Sequence, residues 1–314
     1  MEEIKKVFVI GAGALGAVYA SLLQEMEPGC VSLIADGERA RRLRRDGLIV
    51  NGRKYEMNVA GPEENAEDAD LLLVAVKNQH LSTAILDMQS FVGPETTIIS
   101  VMNGIDSEEQ IGAVLGRDKV LYCVALGIDA VRENDCISYT NQGRLIFGEK
   151  DNTLPTRRVQ RVAALFQRAG IAYEIPSDMI RALWHKFMIN VGINQVSAVL
   201  GAPYGAFQNT GEARRLMESA MREVIILAKK VGIDLSEEDI RSFDPILARL
   251  SPQGKTSMLQ DVEAGRKTEV EMFAGRVIAL GQKYDIPMPV NQSLFDSICR
   301  IESAYLKDKS ADNL

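Results

Sequence analysis

The strongest constraint on the fold is a glycine-rich turn that directly follows a short apolar run near the start of the chain. The run is Val7–Ile10, and the turn reads Gly11-Ala12-Gly13-Ala14-Leu15-Gly16. A fully apolar run is typical of a central strand in a parallel sheet, and a helical pattern follows the turn to about Met26. In such a unit the first glycine permits a tight turn, the second lets the backbone approach a pyrophosphate, and the third permits close helix packing. The turn therefore predicts a dinucleotide site in which N–H groups at the helix start bind phosphate.

An acidic residue after the second predicted strand supports this interpretation. Asp36 follows the run Val31–Ala35 and lies 20 residues beyond Gly16, the spacing expected of a carboxylate that binds ribose hydroxyl groups. A lone glycine turn can serve packing alone, but here the strand, the helix and the acid all accompany it. A carboxylate favours a 2′-hydroxyl over a 2′-phosphate, so Asp36 favours NAD(H). Three nearby arginines either form a solvated helix face or hold a 2′-phosphate: Arg39, Arg41 and Arg42.

The two halves of the chain differ in pattern. Short apolar runs alternate with helical patterns up to about residue 176, which predicts a doubly wound parallel α/β sheet of the Rossmann type in residues 1–176. The predicted strands are Val7–Ile10, Val31–Ala35, Leu71–Val76, Thr97–Val101, Val120–Ile128 and Ala172–Ile175. The turn-like segment Thr140–Gly143 predicts an antiparallel hairpin at the sheet edge between Cys136–Tyr139 and Arg144–Phe147.

Residues 177–314 predict an all-α domain. The patterns there are helical, and the breaks between them contain glycine or proline. The predicted helices are Asp178–Leu200, Gly211–Val231, Glu237–Leu247, Lys255–Asp285 and Val290–Leu306.

Composition excludes several classes of protein. The chain of 314 residues is 46% apolar and 25% charged, values typical of globular domains rather than disordered or coiled-coil chains. With a formal net charge of −7, the chain lacks the positive charge that is typical of a nucleic-acid binder. The 4 cysteines are widely spaced and there are only 2 histidines, so we predict buried thiols in a reducing compartment and no metal site. Glycines or amides interrupt the two longest uncharged runs, Val7–Gln24 and Phe187–Gly211, so we expect no membrane span and a cytoplasmic location.

A row of polar residues runs along the first helix of the second half. Lys186, Asn190 and Asn194 recur every four residues in an otherwise apolar stretch, and so share one face. A lysine and two amides in such surroundings are paired or line a cavity. On one interpretation the lysine reaches solvent and the amides join neighbouring helices. On the other, the face is a cleft wall that carries a cationic proton donor.

Further candidates occur in a second polar row and at two strand ends. Ser257, Asp261 and Glu269 share a four-residue register if one helix continues through Gly265, although Asp261 can simply pair with a basic neighbour. Ligands of open α/β sheets bind at the carboxyl ends of the strands. The candidates at such ends are Lys77 after Val76, and Asn103-Gly104 after Met102, where a plain turn is the alternative.

Taken together, these motifs resemble the ketopantoate reductase (2-dehydropantoate 2-reductase) family. The resemblance runs from residue 4 to about 306, and it is carried by the glycine turn, Val76-Lys77, Asn103-Gly104, Trp184-x-Lys186-x3-Asn190-x3-Asn194 and Ser257-Met-Leu-Gln-Asp261-x7-Glu269. It implies an NAD(P)-dependent oxidoreductase that uses NADPH to reduce 2-dehydropantoate to (R)-pantoate, on the route to pantothenate and coenzyme A. By this resemblance the cofactor is NADP(H), whereas Asp36 favours NAD(H).

The resemblance also implies roles for single residues. Lys186 matches the catalytic lysine, a general acid for the carbonyl oxygen, and Glu269 matches the active-site glutamate. The matched substrate-binding residues are Asn103, Asn190, Asn194 and Ser257. Lys77 and Asn103 match residues at the junction of cofactor and substrate. With the glycine turn and the acid predicted from spacing, the full set of cofactor-binding candidates is Gly11, Ala12, Gly13, Ala14, Leu15, Gly16, Asp36, Lys77 and Asn103.

Three positions depart from the family pattern and leave alternatives open. Asp36 stands where many members carry an arginine for the 2′-phosphate, and Tyr204 and Gly254 replace polar residues found in some members. A reductase of another 2-oxo acid and a non-catalytic dinucleotide-sensing protein are therefore the alternatives, and the retained Lys186 and Glu269 argue against the sensor. The expected partner is a small 2-oxo acid; a homodimer through the helical domain is compatible with the sequence, although no pattern indicates it.

Overall fold

The structure, a computed structural model, describes residues 2–63 and 67–311, with side chains as far as residue 305. The chain divides into two compact units, Met1–Leu183 and Trp184–Leu314, which we call the first and the second unit. The division falls inside one long helix. The sequence-based boundary at residue 176 between a dinucleotide-binding and a substrate domain stays a prediction.

The first unit is built on a sheet of eight strands. Its strands are paired in parallel except for one antiparallel pair, β8 with β11. The sheet order is β12-β11-β8-β7-β6-β1-β2-β5, and β4-β3-β10-β9 form a second sheet. The bounds are β1 Val7–Ile10, β2 Val31–Ile34, β3 Leu48–Val50, β4 Arg53–Tyr55, β5 Asn58–Ala60, β6 Leu71–Val74, β7 Thr97–Ser100, β8 Val120–Ile128, β9 Val131–Glu133, β10 Cys136–Ser138, β11 Gln142–Gly148 and β12 Tyr173–Glu174.

Every regular element that the structure describes after β12 is helical. The α-helices are α1 Ala14–Met26, α2 Gly37–Asp46, α3 Leu81–Met88, α4 Ser107–Leu115, α5 Arg157–Arg168, α6 Met179–Leu200, α7 Gly205–Gln208, α8 Glu212–Lys230, α9 Glu237–Ser242, α10 Asp244–Leu247, α11 Ser257–Glu263, α12 Arg276–Tyr284 and α13 Pro289–Ala311. A π-helical turn, Glu271–Gly275, leads directly into α12. Short 3-10 turns occur at Asn78–His80, Gln89–Phe91 and Arg117–Lys119.

The predicted fold class is confirmed. All residues of β1, β6 and β7 are buried, because helices cover both faces of a parallel sheet and leave the strands no polar side. Strands β1 and β8 have the predicted bounds, whereas β2, β6 and β7 end one or two residues early. The predicted strand Ala172–Ile175 is present only as the two-residue β12.

The predicted hairpin between Cys136–Tyr139 and Arg144–Phe147 is wrong. β10 pairs with β9 and β3 in the small sheet, whereas β11 pairs with β8 in the large one. The intervening residues do not close a turn, because the Asp129 carboxylate accepts the backbone N–H groups of Thr140 at 2.9 Å and Asn141 at 2.8 Å. The segment is thus bound to the end of β8, and β11 begins there as a separate partner.

Two predicted helices of the second half are divided. The segment Glu237–Leu247 breaks into α9 and α10 because Pro245 has no N–H with which to continue the first helix. The long segment Lys255–Asp285 breaks at Gly265, whose φ is +59°. There the Gly265 N–H donates to Val262 O and the Arg266 N–H to Asp261 O, a Schellman motif that ends α11.

The cysteines differ in exposure. All four cysteines are free thiols. Cys30 and Cys123 are buried as predicted, but Cys299 is half-buried, and Cys136 is exposed because it lies on the outer face of β10. Among the residues that the structure describes, no helix combines the length and apolar character needed to cross a bilayer.

Candidate active site

The glycine turn joins β1 to α1 at a point where backbone segments nearly touch. Gly11 has a φ of +99°, and a Cβ there would lie 2.5 Å from the Ala75 carbonyl oxygen. A Cβ on Gly16 would overlap the carbonyl oxygen of Gly11. Both positions therefore require glycine for the fold itself, because no side chain fits between these segments.

Gly13 differs from its two neighbours. Its φ is −79°, and a Cβ there would meet only the Ala75 carbonyl oxygen, 4.0 Å away. Gly13 is the N-cap of α1, no side chain caps this helix end, and the first turn contains no acidic residue. The N–H groups of the first turn are thus left to an outside acceptor, and the open side of Gly13 fits the close approach of a dinucleotide pyrophosphate.

The segments expected to bind the nucleotide follow strands that end level with one another. Ile10 is paired with Ile34 and with Val74, and Val74 is paired with Ser100. The residues that follow these four ends are the glycine turn, Asp36, Lys77 and Asn103. The structure therefore brings the four segments to one edge of the sheet, where open α/β sheets bind their ligands.

Asp36 begins α2 as its N-cap residue, yet its carboxylate does not bond to the helix N–H groups. The side chain is exposed, so the carboxylate is available to ribose hydroxyl groups. Asp87 on α3 lies near enough that the Asp36 charge, after burial, raises the pKa of the Asp87 carboxyl. Two neighbouring carboxylates make this corner of the site unfavourable for a 2′-phosphate.

The arginines of α2 do not form one solvated face. Arg41 is exposed and pairs with Glu38, whereas Arg39 and Arg42 line a cavity together with Arg132 of β9. Burial, and then the like charges of Arg132 and Arg42, lower the pKa of the Arg39 guanidinium. No described carboxylate forms an ion pair with Arg39 within the ranges that the structure covers.

Sequence reasoning missed Arg132. Its guanidinium donates to the carbonyl oxygen of Ala12 at 3.1 Å, inside the glycine turn, although the two residues are 120 positions apart. Strand β9 is short and begins in a region without strong apolar alternation, so only the fold brings Arg132 to this turn. Arg42 and Arg132 both pair with Asp135, which lines the same cavity, so the positive charge that is left for an anionic ligand beside the turn is mainly that of Arg39.

In the second unit, α6 carries the predicted polar row. Lys186 and Asn190 are half-buried, and Asn194 is buried with 7% of its surface exposed. Most of the apolar side chains between them are buried, and the rings of Trp184 and Phe187, both on α6, meet edge to face at 6.0 Å. Gly192 permits close packing on α8, where a Cβ would lie 2.6 Å from Met221 Cγ.

The second predicted row is only partly present. Because Gly265 ends α11, Ser257, Asp261 and Glu269 do not share one helical register, and that expectation is wrong. Asp261 accepts from Arg266 Nε at 2.7 Å, so it has the basic neighbour that the sequence left as an alternative. Ser257 is exposed at the first position of α11, and Glu269 is half-buried just before the π-helical turn.

Tyr204 and Gly254, the two departures in this half, are in direct contact. The Tyr204 N–H donates to Gly254 O at 2.9 Å. A Cβ on Gly254 would lie 3.0 Å from the tyrosine ring carbon Cδ2. The Tyr204 ring thus occupies space that a side chain at position 254 would need. The tyrosine and the glycine therefore depend on each other.

Metal ligands are not gathered anywhere in the described part of the chain. Within residues 2–63 and 67–305, no group of three or more histidine, cysteine or acidic side chains is arranged to hold an ion.

Two family models match the chain, one in each half. The model described as ketopantoate reductase PanE/ApbA matches residues 7–152. The model described as ketopantoate reductase PanE/ApbA C terminal matches residues 178–302.

Similar proteins extend over nearly the whole chain. A 2-dehydropantoate 2-reductase of Halobacterium salinarum is 28% identical over 298 residues, which cover 93% of this chain and 97% of the relative. A D-mandelate dehydrogenase solved with NADH and anilino(oxo)acetate has a TM-score of 0.86 at 19% identity, covering 96% of this chain and 99% of its own. A dimeric ketopantoate reductase from Staphylococcus aureus has a TM-score of 0.79 at 21% identity, with coverages of 96% and 99%.

Proposed function

We propose that this chain, which belongs to the ketopantoate reductase family, reduces 2-dehydropantoate to (R)-pantoate with a nicotinamide dinucleotide as reductant. The observation that carries the proposal is the match of the two family models across both units, which leaves Lys186 and Glu269 inside the matched region. The level strand ends and the uncapped start of α1 support the dinucleotide part.

The residues of the first unit would hold the dinucleotide. The N–H groups after Gly13 would bind the pyrophosphate, and the Asp36 carboxylate would accept from the adenosine ribose. Arg39 would add positive charge beside the phosphates. Further residues for the same group are Gly11, Ala12, Ala14, Leu15, Gly16, Lys77 and Asn103. When bound, the reduced dinucleotide supplies the hydride that the ketone carbon receives.

Lys186 would act on the ketone oxygen. As carbon gains the hydride, negative charge develops on the oxygen, and the Lys186 ammonium first stabilises that charge and then donates a proton to it. The product is the 2-hydroxy acid, and the neutral amine regains its proton from solvent. The half-buried position of Lys186 supports this role, because the field of an ammonium is less screened there than in open water.

The other polar residues would orient the substrate. In the second unit, Asn190, Asn194 and Ser257 would offer N–H or O–H donors to the substrate carboxylate, and the Glu269 carboxylate would accept from the substrate hydroxyl group. Donors for the carboxylate and an acceptor for the hydroxyl group, at fixed positions, would distinguish the two ends of a hydroxy-2-oxo acid.

A second candidate substrate class is favoured by one observation. The Tyr204–Gly254 contact fills space with an aromatic ring where some family members carry polar groups. An aromatic wall favours an apolar side chain on the 2-oxo acid over a hydroxymethyl group. The D-mandelate dehydrogenase neighbour shares the fold and is named for an aromatic hydroxy acid.

Purified protein tests both candidates in one assay. Oxidation of NADPH or NADH is followed at fixed protein concentration with 2-dehydropantoate, phenylglyoxylate and small aliphatic 2-oxo acids. Turnover that is at least about tenfold more efficient with 2-dehydropantoate supports the proposal, since one well-made hydrogen bond distinguishes substrates by that factor or more. Preference for the aromatic acid favours the second candidate, and tight dinucleotide binding without turnover favours a sensor.

Assembly and location are part of the proposal. The dimeric Staphylococcus aureus neighbour supports a homodimer for this chain, which light scattering of the purified protein tests directly.

We place the enzyme in the cytoplasm, where fractionation of the source cells would find it; recovery in a membrane or extracellular fraction would refute the location.

A further inference from the structure

We propose that Gln195 is a positioning residue for Glu269, acting through the π-helical turn that follows the glutamate. The inference rests on the proposed function, because it assumes that Glu269 acts on the substrate. It concerns residues of the second unit only: the polar chain Glu223–Asn291–Gln195 and the turn Glu271–Gly275, here called the π turn.

The π turn leaves one backbone N–H without a helical partner. The N–H groups of Met272 and Phe273 donate to the carbonyl oxygen of Glu269, and that of Gly275 reaches Val270 O at 3.0 Å. Between them, the Ala274 N–H donates instead to the side-chain oxygen Oε1 of Gln195, at 3.0 Å. Gln195 therefore replaces the missing backbone acceptor, and without it a buried N–H would lose its bond.

A buried carboxylate fixes which way the Gln195 amide points. Glu223 is buried and accepts only, so it holds the amide nitrogen of Asn291 at 2.7 Å and turns the Asn291 oxygen away. That oxygen accepts the Gln195 nitrogen Nε2 at 3.1 Å, and Nε2 also donates to Val191 O at 2.7 Å. The Gln195 oxygen is left to face the Ala274 N–H. Reversing either amide would set donors against donors.

The same carboxylate anchors the start of α13. Glu223 also accepts the backbone N–H groups of Val290 at 2.8 Å and Asn291 at 2.9 Å. Further along α13, the Glu302 carboxylate accepts the Thr268 N–H at 2.7 Å and its hydroxyl at 2.6 Å. Glu269 thus lies between two anchored points, Thr268 before it and the π turn after it.

Gln195 connects this anchored segment to the helix of the proposed acid. It is adjacent in sequence to Asn194 on α6, and it is fully buried. A π-helical turn is less stable than an α-helical one and occurs frequently at functional sites. By holding the wide turn open, Gln195 fixes the position of the Glu269 backbone. The Glu269 side chain is thereby placed relative to the row of Lys186, Asn190 and Asn194.

The experiment compares Gln195→Met, which has a similar length but no amide, with Ser197→Ala as the matched control. Ser197 is buried on the same helix, and its hydroxyl donates to Ala202 O at 2.6 Å, away from the π turn. We expect Gln195→Met to lower kcat about tenfold or more at unchanged dinucleotide affinity, and Ser197→Ala to stay within about twofold of wild type. In a Glu269→Gln background, adding Gln195→Met should lower kcat no further, because both changes remove the same interaction.

A second variant keeps the test decisive if Gln195→Met fails to fold. Glu223→Gln preserves shape but has one oxygen for three donors, so its NH2 group faces either the Val290 N–H or the two Asn291 donors, and the restraint that orients Asn291, and through it Gln195, is weakened. Hydrogen exchange of residues 271–275 should then accelerate in either variant and not in Ser197→Ala. Unchanged exchange, or an equal loss of kcat in the Glu269→Gln background, would overturn the positioning role. If the wild-type protein reduces no 2-oxo acid, the proposed function fails, while the exchange result still decides whether Gln195 holds the turn.

Discussion

Gly13 and Gly16 have separable roles in one turn. Gly16 is required by packing, since its Cβ would meet the Gly11 backbone, whereas the Cβ position of Gly13 is open. We therefore expect Gly13 to serve ligand binding and Gly16 to serve folding.

We predict that Gly13→Ala weakens NADPH and NADH binding about tenfold to a hundredfold, because it blocks charge-assisted N–H contacts to phosphate. The free energy of unfolding should change by no more than about 1 kcal/mol. Gly16→Ala should instead lower it by about 2 kcal/mol or more through overlap with fixed backbone. Calorimetric titration and denaturant unfolding measure the two effects. Gly211→Ala is the control, because a Cβ there meets no atom within 4 Å; wild-type affinity of Gly13→Ala would disprove the phosphate contact.

We expect opposing charges at the end of β2 to set the cofactor preference. The Asp36 carboxylate disfavours a 2′-phosphate, whereas the Arg39 guanidinium, which lies beside Arg132 and pairs with no carboxylate among the described residues, favours one. We predict that Asp36→Ser shifts the ratio of NADPH to NADH efficiency about tenfold toward NADPH, since a repulsion of about 1 kcal/mol or more is removed.

Arg39→Ala should shift the same ratio toward NADH. Arg41→Ala is the matched control, because Arg41 is exposed and already paired with Glu38. If the ratio of NADPH to NADH efficiency is unchanged in Asp36→Ser, this carboxylate does not determine cofactor specificity.

Among helices, α4 carries a buried titratable group that the proposed reaction does not use. Glu108 is 4% exposed, and burial, opposed by hydrogen bonds from Ser107 and Cys123, raises the pKa of its carboxyl to about 7. An acid whose pKa is raised on folding keeps its proton to a higher pH in the folded state than in the unfolded state. Its contribution to stability is therefore complete below the unfolded pKa, near 4.5, and is lost as the pH rises to about 7.

We predict that Glu108→Gln stabilises the protein at pH 8 by an amount of order 3 kcal/mol, and by much less at pH 5. The amide keeps the shape and an acceptor for the Cys123 N–H, but it never ionises. Urea unfolding at both pH values gives the difference. Glu95→Gln, at an exposed glutamate of the same unit, controls for the loss of one negative charge; equal effects of Glu108→Gln at the two pH values would contradict the raised pKa.

Elements with strong local signals were predictable, and those that depend on distant partners were not. Apolar runs such as Val7–Ile10 identify buried strands because a strand covered on both faces tolerates few polar side chains. Strand β3 forms a local hairpin with β4 around Asn51-Gly52, a turn signal that the sequence does contain. By contrast, no local pattern marks the parallel pairing of β3 with β10, whose partners are 87 positions apart. The end of α11 at Gly265 was readable as a glycine break, but the apolar periodicity on either side favoured one helix.

The residues of the candidate site also fall into those marked by local motifs and those placed by tertiary contacts. The glycine turn, Asp36 and the row on α6 are local motifs, so the sequence identifies them as candidates. Arg132 and Gln195 reach their partners through tertiary contacts with Ala12 and Ala274, 120 and 79 positions away, and nothing in the adjoining sequence marks either residue.

At the scale of the whole molecule, we propose that the first unit binds the dinucleotide and the second protonates the substrate. The matches of the family models to residues 7–152 and 178–302 follow the same division. Substitutions in the glycine turn should therefore change dinucleotide affinity most, and substitutions on α6 should change the chemical step.

The most direct test of the central claim is single-turnover oxidation of bound NADPH by 2-dehydropantoate in Lys186→Ala, with Lys230→Ala as the control at an exposed lysine of α8. The account predicts that Lys186→Ala slows the chemical step by about 10²–10⁴-fold at unchanged NADPH affinity, the scale expected for loss of a general acid. Lys230→Ala should react at the wild-type rate. A wild-type rate in Lys186→Ala would contradict the claim that this lysine protonates the substrate.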